Sequence, residues 1–238
     1  IATDIDNDGD IDFVAGNLGM NCKYHVTPDK PIVLYAKDID GNGSIDPVIG
    51  YYIKDNQNKS TLYPSISLNQ FAEQVPAIKK QYLYAKDFAT ATMKDIFKTE
   101  EGGEPFLQLQ CDELHTCWFE NIGNGKFIKH FLPAETQFAP VNTILCNDVD
   151  NDGKMDLLLA GNEYQADVMT GRYDASYGCY LHGDGKGNFT FVKPSISGLV
   201  LKGDVKDMKI IQTTGKQKIL LSAVNNERMR SFLIRKKV

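Results

Sequence analysis

The chain has 238 residues, 42% of them hydrophobic and 24% charged, and a formal net charge of −5 at pH 7. This length and composition indicate a packed globular fold and exclude a disordered or fibrous chain. The basic residues are scattered apart from one run at residues 235–237, which is too short to indicate nucleic-acid binding. No apolar run approaches the about 20 residues that span a bilayer, so we expect no transmembrane segment.

Three stretches of the sequence repeat one pattern: an apolar lead-in, nine residues rich in Asp and Gly, and a short apolar strand that ends in Gly. They are IATDIDNDGDIDFVAGN at residues 1–17, YAKDIDGNGSIDPVIGY at 35–51 and LCNDVDNDGKMDLLLAGN at 145–162. We call the nine-residue segments loop 1 (residues 4–12), loop 2 (38–46) and loop 3 (148–156). A degenerate fourth copy is expected at residues 203–207, where most of the acids are replaced.

Each loop carries oxygen donors at the spacing that calcium requires. Calcium takes six to eight oxygen ligands at about 2.3–2.6 Å, and alternating carboxylates on a tight turn can surround it. The predicted ligands in loop 1 are Asp4, Asp6, Asp8, the carbonyl of Asp10, and Asp12. Those in loop 2 are Asp38, Asp40, Asn42, the carbonyl of Ser44, and Asp46, and those in loop 3 are Asp148, Asp150, Asp152, the carbonyl of Lys154, and Asp156. Asn42 removes one formal charge, so loop 2 is predicted to bind calcium most weakly.

Two other interpretations of the loops are possible. An EF-hand loop begins with the same alternating acids, but it needs a bidentate acid at position twelve and helical flanks. The twelfth positions here are Ala15, Ile49 and Leu159, all within apolar strand-like runs. Plain surface turns are also rich in Asp and Gly. Three copies of the full pattern favour three calcium sites.

A second repeat indicates β-hairpins. The stretches WFENIGNGKF at 118–127 and YLHGDGKGNF at 180–189 each combine a strand, a turn dense in Gly and Asn, and a Phe that resumes a strand. Short strand-like runs continue from residue 105 to the end of the chain. The sequence therefore predicts an all-β fold of antiparallel strands.

One segment departs from this pattern. Residues 67–70, SLNQ, have the form of a capping box, and Phe71, Val75, Ile78 and Tyr82 follow at helical spacing. A second helix is predicted over residues 84–97. We interpret the segment as a helical insertion between blades that covers about residues 60–104, with its helices near 65–98.

The loops, together with Phe138-Ala139-Pro140 upstream of loop 3, resemble the FG-GAP/VCBS repeats of integrin-α-like propellers. The resemblance implies a partial or complete β-propeller of about four blades, each of four strands, in one domain over residues 1–238. It also implies a secreted, periplasmic or cell-surface protein. Loops 1 and 2 are only 34 residues apart, which is short for a four-stranded blade. Because the chain begins inside the first repeat, we expect it to be part of a longer protein.

No enzyme signature is found. The four histidines lack metal-binding spacing, and the sequence contains no GxSxG or Walker A motif. We therefore predict a non-enzymatic calcium-binding module whose surface presents an extracellular protein or glycan partner. A carbohydrate-active enzyme and a purely structural scaffold are the alternatives.

Aromatic, Arg and Asp residues near loops are the candidates for partner contact: Trp118, Tyr164, Arg172, Tyr173 and Asp174. The competing interpretation is that Trp118 and the tyrosines are core residues. The five cysteines are expected to be mostly small buried side chains. Pairing of Cys111 with Cys117 is left open.

Overall fold

The computed structural model describes residues 1–54, 57–97, 107–167 and 170–235. The strands in this part of the chain are β1 (Ala2–Thr3), β2 (Asp12–Ala15), β3 (Ile32–Lys37), β4 (Asp46–Lys54), β5 (Ser60–Pro64), β6 (Leu107–Cys111), β7 (Cys117–Asn121), β8 (Phe127–Phe131), β9 (Val141–Asn147), β10 (Asp156–Gly161), β11 (Cys179–Gly183), β12 (Phe189–Val192), β13 (Val205–Gln212), β14 (Lys218–Val224) and β15 (Arg230–Ile234).

The helices are short. They are α1 (Leu68–Gln74), α2 (Ile78–Gln81), α3 (Ala85–Phe88), α4 (Met93–Ile96) and α5 (Pro194–Ser197), with one 3₁₀ helix at Ala134–Gln137. None of the described helices has the length and hydropathy needed to cross a membrane.

The strands form four antiparallel sheets, each defined here by its strand order. Sheet I is β1-β2-β7-β8, sheet II is β6-β3-β4-β5, sheet III is β9-β10-β11-β12 and sheet IV is β13-β14-β15. The expected fold class is confirmed to this extent: the protein is mostly β, and its sheets are antiparallel. The described residues form no closed propeller, so the division into blades stays a prediction.

The chain divides into two compact units. Unit 1 consists of residues Ile1–Lys23 and Leu114–Val238, and unit 2 is Tyr24–Glu113. Unit 2 is inserted in the sequence between β2 and β7, which are hydrogen-bonded neighbours in sheet I. This insertion explains the short spacing of loops 1 and 2. After only two strands of sheet I the chain enters sheet II, which contains loop 2, and it returns to sheet I at β7. The single-domain organisation stays a prediction.

The helical segment is confirmed, but its position differs from the prediction. Helices α1 to α4 connect β5 to β6, and both strands belong to sheet II. The segment is therefore a connection within one sheet and not an insertion between two. Its predicted start near residue 60 is also wrong, because residues 60–64 pair with β4. Its predicted end falls in residues 98–106, outside the described residues.

The capping box at Ser67 and Gln70 is confirmed, and α1 begins there. The single helix predicted over residues 84–97 is instead two helices, α3 and α4. The Thr92 side chain accepts a hydrogen bond from the Asp95 amide, and the Asp95 carboxylate accepts one from the Thr92 amide at 2.8 Å. This second capping box starts a new helix at that point.

Unit 2 has its core between these helices and one face of sheet II. Phe71 and Met93 are fully buried against Val48, and Phe97 makes an edge-on contact with Tyr35 at 5.2 Å between ring centroids. The helices thus cover one face of sheet II and bury its apolar side chains, which a sheet needs in order to be stable.

Unit 1 has its core on both faces of sheet III. Leu157 and Leu159 pack in one cluster with Trp118 of sheet I, and Leu158 packs in another with Leu220 of sheet IV. Every residue of β10 is buried as a result. This explains why its sequence is a continuous apolar run without the alternation of a half-exposed strand.

The predicted fourth acidic copy is not a loop. Asp204 is fully buried, and β13 begins at the next residue. The position of an acidic loop, between the first two strands of sheet IV, is taken by residues 213–217, TTGKQ, which contain no acid. Loops 1 to 3 are therefore the acidic repeats of the described structure.

The five cysteines form no disulfide bond in the described structure, so the pairing left open for Cys111 and Cys117 does not occur. Burial raises the pKa of the Cys146 thiol to about 11 and that of Cys179 to about 12. These two thiols are thus protonated at neutral pH and have little nucleophilic character.

The contact between sheets I and III can be tested at a glycine. A Cβ atom at Gly187 would lie 2.5 Å from the Trp118 ring, and the residue has φ +78°. The matching hairpin glycine of sheet I, Gly125, has φ +70° and open space around its Cβ position. We expect Gly187→Ala to lower the free energy of unfolding by about 1–3 kcal/mol more than Gly125→Ala, because only the first also forces apart packed atoms.

The measurement is urea denaturation followed by fluorescence of the one tryptophan in the chain. Equal losses in the two variants would contradict the packing of Trp118 against the β11–β12 hairpin.

Candidate metal centre

The three acidic loops occupy the same structural position. Loop 1 joins β1 to β2, loop 2 joins β3 to β4, and loop 3 joins β9 to β10, and each pair of strands is antiparallel. A tight connection between adjacent strands brings the alternating side chains to one end of the sheet. We number the positions of each loop from one to nine.

The loops share one set of hydrogen bonds. The carboxylate at position one accepts from the glycine amide at position six, at 3.1 Å for Asp4, 2.8 Å for Asp38 and 3.1 Å for Asp148. The side chain at position five accepts from the amide at position seven, at 2.7–2.9 Å in the three loops. Three separate segments of sequence thus fold into one local geometry.

Two backbone positions make this turn possible. Position four has φ between 63° and 74° in all three loops, and it is Asn in loops 1 and 3 and Gly in loop 2. Position six is Gly throughout, with φ between 88° and 96°. Glycine adopts this region without the steric cost of a Cβ atom, and Asn tolerates it better than most residues.

The turn brings carboxylates together in each loop. Within 4.8 Å of one another lie oxygens of Asp4, Asp6 and Asp8 in loop 1, of Asp38, Asp40 and Asp46 in loop 2, and of Asp148, Asp150 and Asp152 in loop 3. These are hard oxygen donors, so the donor set fits calcium. The contributions predicted for Asn42 and for the carbonyls of Asp10, Ser44 and Lys154 stay predictions.

The aspartate at position nine has a role that the sequence did not reveal. It accepts a hydrogen bond from the amide at position two in all three loops, at 2.9–3.0 Å. In sheets I and III it also accepts one from the third strand, from Asn121 to Asp12 at 2.8 Å and from Gly183 to Asp156 at 3.0 Å. In these two sheets the side chain therefore links the loop and the second strand to the third strand.

Charge repulsion is present in the loops. The pKa of Asp6 is raised by burial and by the neighbouring carboxylate of Asp8. The pKa of Asp152 is lowered, chiefly because its carboxylate accepts the Lys154 amide hydrogen bond. The pKa of Tyr180, which donates to Asp156, is raised by burial and by that carboxylate. A cation in loop 1 would remove the repulsion that Asp6 experiences.

Sequence analysis did not identify one residue that lies beside loop 3. His182 lies in β11, with Nδ1 at 3.2 Å from Asp156 Oδ1 and 3.4 Å from Asp150 Oδ2. The pairing of β10 with β11 places it there, because Leu157 opposes Leu181. The only indication in the sequence was the position of His182 at the end of a strand, just before a hairpin turn. That position points to loop 3 only when the register of β11 against β10 is known.

The structure separates the five candidates for partner contact into two groups, one in the core and one between β10 and β11. Trp118 is only 4% exposed and belongs to the core, so the prediction of a contact role for it is wrong. The other four lie on one segment between β10 and β11, where Glu163 and Tyr173 exchange backbone hydrogen bonds. The Arg172 guanidinium lies over the Tyr164 ring at 5.0 Å, and both Arg172 and Asp174 are exposed.

Comparison of the chain with protein-family models, with curated proteins and with solved structures finds no match.

The structural role of position nine can be tested without metal. Both oxygens of Asp12 accept backbone N–H groups, so Asp12→Asn would turn an amide NH₂ towards one of these donors. We expect the free energy of unfolding to fall by about 1–3 kcal/mol in the presence of EGTA. Relief of the repulsion between Asp12 and Asp6 acts in the opposite direction and offsets part of this loss.

Asp10→Asn is the matched control, since Asp10 is exposed and its predicted role uses only its backbone carbonyl. Urea denaturation in EGTA compares the two variants. If Asp12→Asn were no more destabilising than Asp10→Asn, the proposed link between loop 1 and β7 would be wrong.

Proposed function

We propose that the chain is a non-enzymatic, calcium-stabilised β-sheet module of the FG-GAP/VCBS type, with one ion in each acidic loop, in a secreted, periplasmic or cell-surface protein. One observation carries the proposal: three loops distant in sequence share the same hydrogen bonds and each gathers three carboxylates within 4.8 Å. Like charges that converge in this way three times favour a divalent cation as the common partner.

Calcium bound in the three acidic loops is expected to stabilise the fold. Each loop joins two adjacent strands, and its last aspartate is hydrogen-bonded at the start of the second strand. An ion that holds positions one, three and five closes the turn and neutralises its charge. Extracellular modules bind calcium with Kd values of about 10⁻⁴–10⁻³ M, and millimolar calcium outside cells keeps such sites occupied.

The direct test is thermal unfolding with and without calcium. At about ten times Kd each site stabilises the fold by about 1.4 kcal/mol, which corresponds to a rise in Tm of roughly 3–6 °C per site in a chain of this size. We expect EGTA to reverse the rise. A Tm that is the same in EGTA and in millimolar calcium contradicts the proposal.

Asp6→Asn gives a sharper version of this test because the sign of its effect depends on calcium. The raised pKa of Asp6 means that its charge is unfavourable in the metal-free fold, so the neutral amide should keep or raise the Tm in EGTA. In calcium the same change removes a ligand charge and should lower the Tm. Asp184→Asn is the control, because Asp184 lies in a hairpin turn outside the loops and should shift Tm equally in both conditions.

The partner surface is proposed at Tyr164, Arg172, Tyr173 and Asp174, of which Arg172 and Asp174 are exposed and the two tyrosines are half-buried. An arginine stacked on an aromatic ring presents a flat, partly apolar surface with hydrogen-bond donors, which suits a protein or a glycan.

Screening the calcium-loaded chain on protein and glycan arrays tests this proposal. We expect Arg172→Ala to weaken binding at least tenfold (about 1.4 kcal/mol). Release of product from a glycan would favour a carbohydrate-active enzyme, and absence of any binder would favour a scaffold.

A further inference from the structure

Loop 3 has a nitrogen donor at a position where loop 1 has an oxygen donor. In sheet III the residue that precedes Gly183, the third-strand partner of Asp156, is His182. In sheet I the residue that precedes Asn121, the corresponding partner of Asp12, is Glu120. The two positions are structurally equivalent, so the histidine distinguishes loop 3 from loop 1.

The imidazole lies among three carboxylates: Nδ1 faces two of them, and Nε2 is 3.9 Å from Asp152 Oδ2. His182 Nδ1 is 3.2 Å from Asp156 Oδ1 and 3.4 Å from Asp150 Oδ2, and donor atoms of the three residues all lie within 4.8 Å. The hydrogen-bonded pair of His130 and Glu120 is much closer, at 2.7 Å. His182 therefore lies near both carboxylates at distances longer than a charge-assisted hydrogen bond, which is about 2.7–2.9 Å.

We propose that Asp150, Asp156 and His182 form a binding site for a first-row transition ion such as Zn²⁺ or Co²⁺. Bonds of about 2.0–2.2 Å from zinc to nitrogen and oxygen in tetrahedral geometry place neighbouring donor atoms roughly 3.3–3.6 Å apart. The distances of 3.2 and 3.4 Å from Nδ1 to the two carboxylates are close to this spacing. Calcium selects oxygen ligands, whereas imidazole suits zinc and its neighbours. Loops 1 and 2 offer only oxygen, so the site is particular to loop 3.

The buried carboxylate of this site is held in place. Asp156 accepts hydrogen bonds from the Val149 amide at 3.0 Å, the Gly183 amide at 3.0 Å and the Tyr180 hydroxyl at 3.1 Å. Such partners orient a metal ligand and lower the cost of ordering it on binding. His182 is 37% exposed in its side chain, so an ion can reach it from solvent.

Asp150 belongs to both this site and the proposed calcium site of loop 3. Asp156 is also among the predicted calcium ligands of loop 3. The inference does not rest on the calcium proposal, however, since it depends on the His182 nitrogen and concerns a different ion. If both proposals hold, zinc should displace calcium from loop 3 and lower the calcium stoichiometry of the chain from three to two.

The experiment is modification of the full chain by diethyl pyrocarbonate, with each histidine mapped by mass spectrometry in EGTA, in calcium and in zinc. Zinc on Nδ1 leaves only a protonated Nε2, which does not react. We expect zinc to slow the modification of His182 at least tenfold and calcium to change it less than twofold. His25, which is exposed, is the internal control and should react equally in all three conditions.

Zinc affinity is then measured by calorimetry on two variants, with circular dichroism as the check on folding. His182→Gln keeps a hydrogen-bond donor near the carboxylates but removes the imidazole, and it should weaken zinc binding by at least about tenfold. His25→Ala should leave zinc binding unchanged. Modification of His182 at the same rate with and without zinc, or equal protection by calcium and zinc, would overturn the inference.

The two proposals fail separately. Protection of His182 by zinc in a chain whose Tm ignores calcium would leave the transition-metal site standing and remove the calcium function. A calcium-dependent Tm without protection by zinc would do the reverse.

Discussion

A buried aspartate at the end of each acidic loop is the contact on which the arrangement of the loops depends. Asp12, Asp46 and Asp156 are 1%, 3% and 0% exposed, although each is drawn from the most acidic segments of the chain. A buried carboxylate is costly unless hydrogen bonds replace its hydration. Here the amide at position two supplies one such bond in every loop, so burial of this side chain closes the turn.

The hydrogen bonds that this aspartate accepts from the rest of the sheet differ between the three sheets. In sheets I and III the third strand adds an amide hydrogen bond to the carboxylate. In sheet II the pairing of β4 with β5 spans residues 50–54 and 60–64, so the third strand does not extend to the loop. There the carboxylate of Asp46 lies instead with Asp38 and Asp40. Loop 2 thus differs from the others in its surroundings as well as in the substitution by Asn42.

The sequence predicted what depends on local spacing. The loops, the capping box at Ser67 and the hairpin turns each follow from residues within about nine positions of one another, and each lies where the pattern placed it. The insertion of unit 2 between β2 and β7 could not be predicted, since it depends on pairing between strands about 100 residues apart in sequence. The burial of Trp118 and the position of His182 beside loop 3 could not be predicted for the same reason, because each depends on partners in other strands.

The opposite ends of the strands in unit 1 are fixed by a different interaction. Strands β2 and β10 each begin at an acidic loop and lead into a glycine at their far end, Gly16 and Gly161. A Cβ atom at these glycines would lie 2.5 Å from the Val141 carbonyl oxygen and 1.8 Å from that of Pro140. The Asn162 amide also donates to Pro140, and the Val141 amide donates to Asn17. Close backbone packing therefore secures one end of each strand without regard to ions.

This asymmetry explains why cations would matter at one end only. At the glycine end the contacts are neutral and backbone to backbone, so they add no like charges. At the loop end several carboxylates are held within 4.8 Å of one another by the same turn that closes the strand pair, and their repulsion opposes that closure. A cation at the loop end would neutralise this repulsion, so we expect ionic conditions to affect the stability of the sheets at that end.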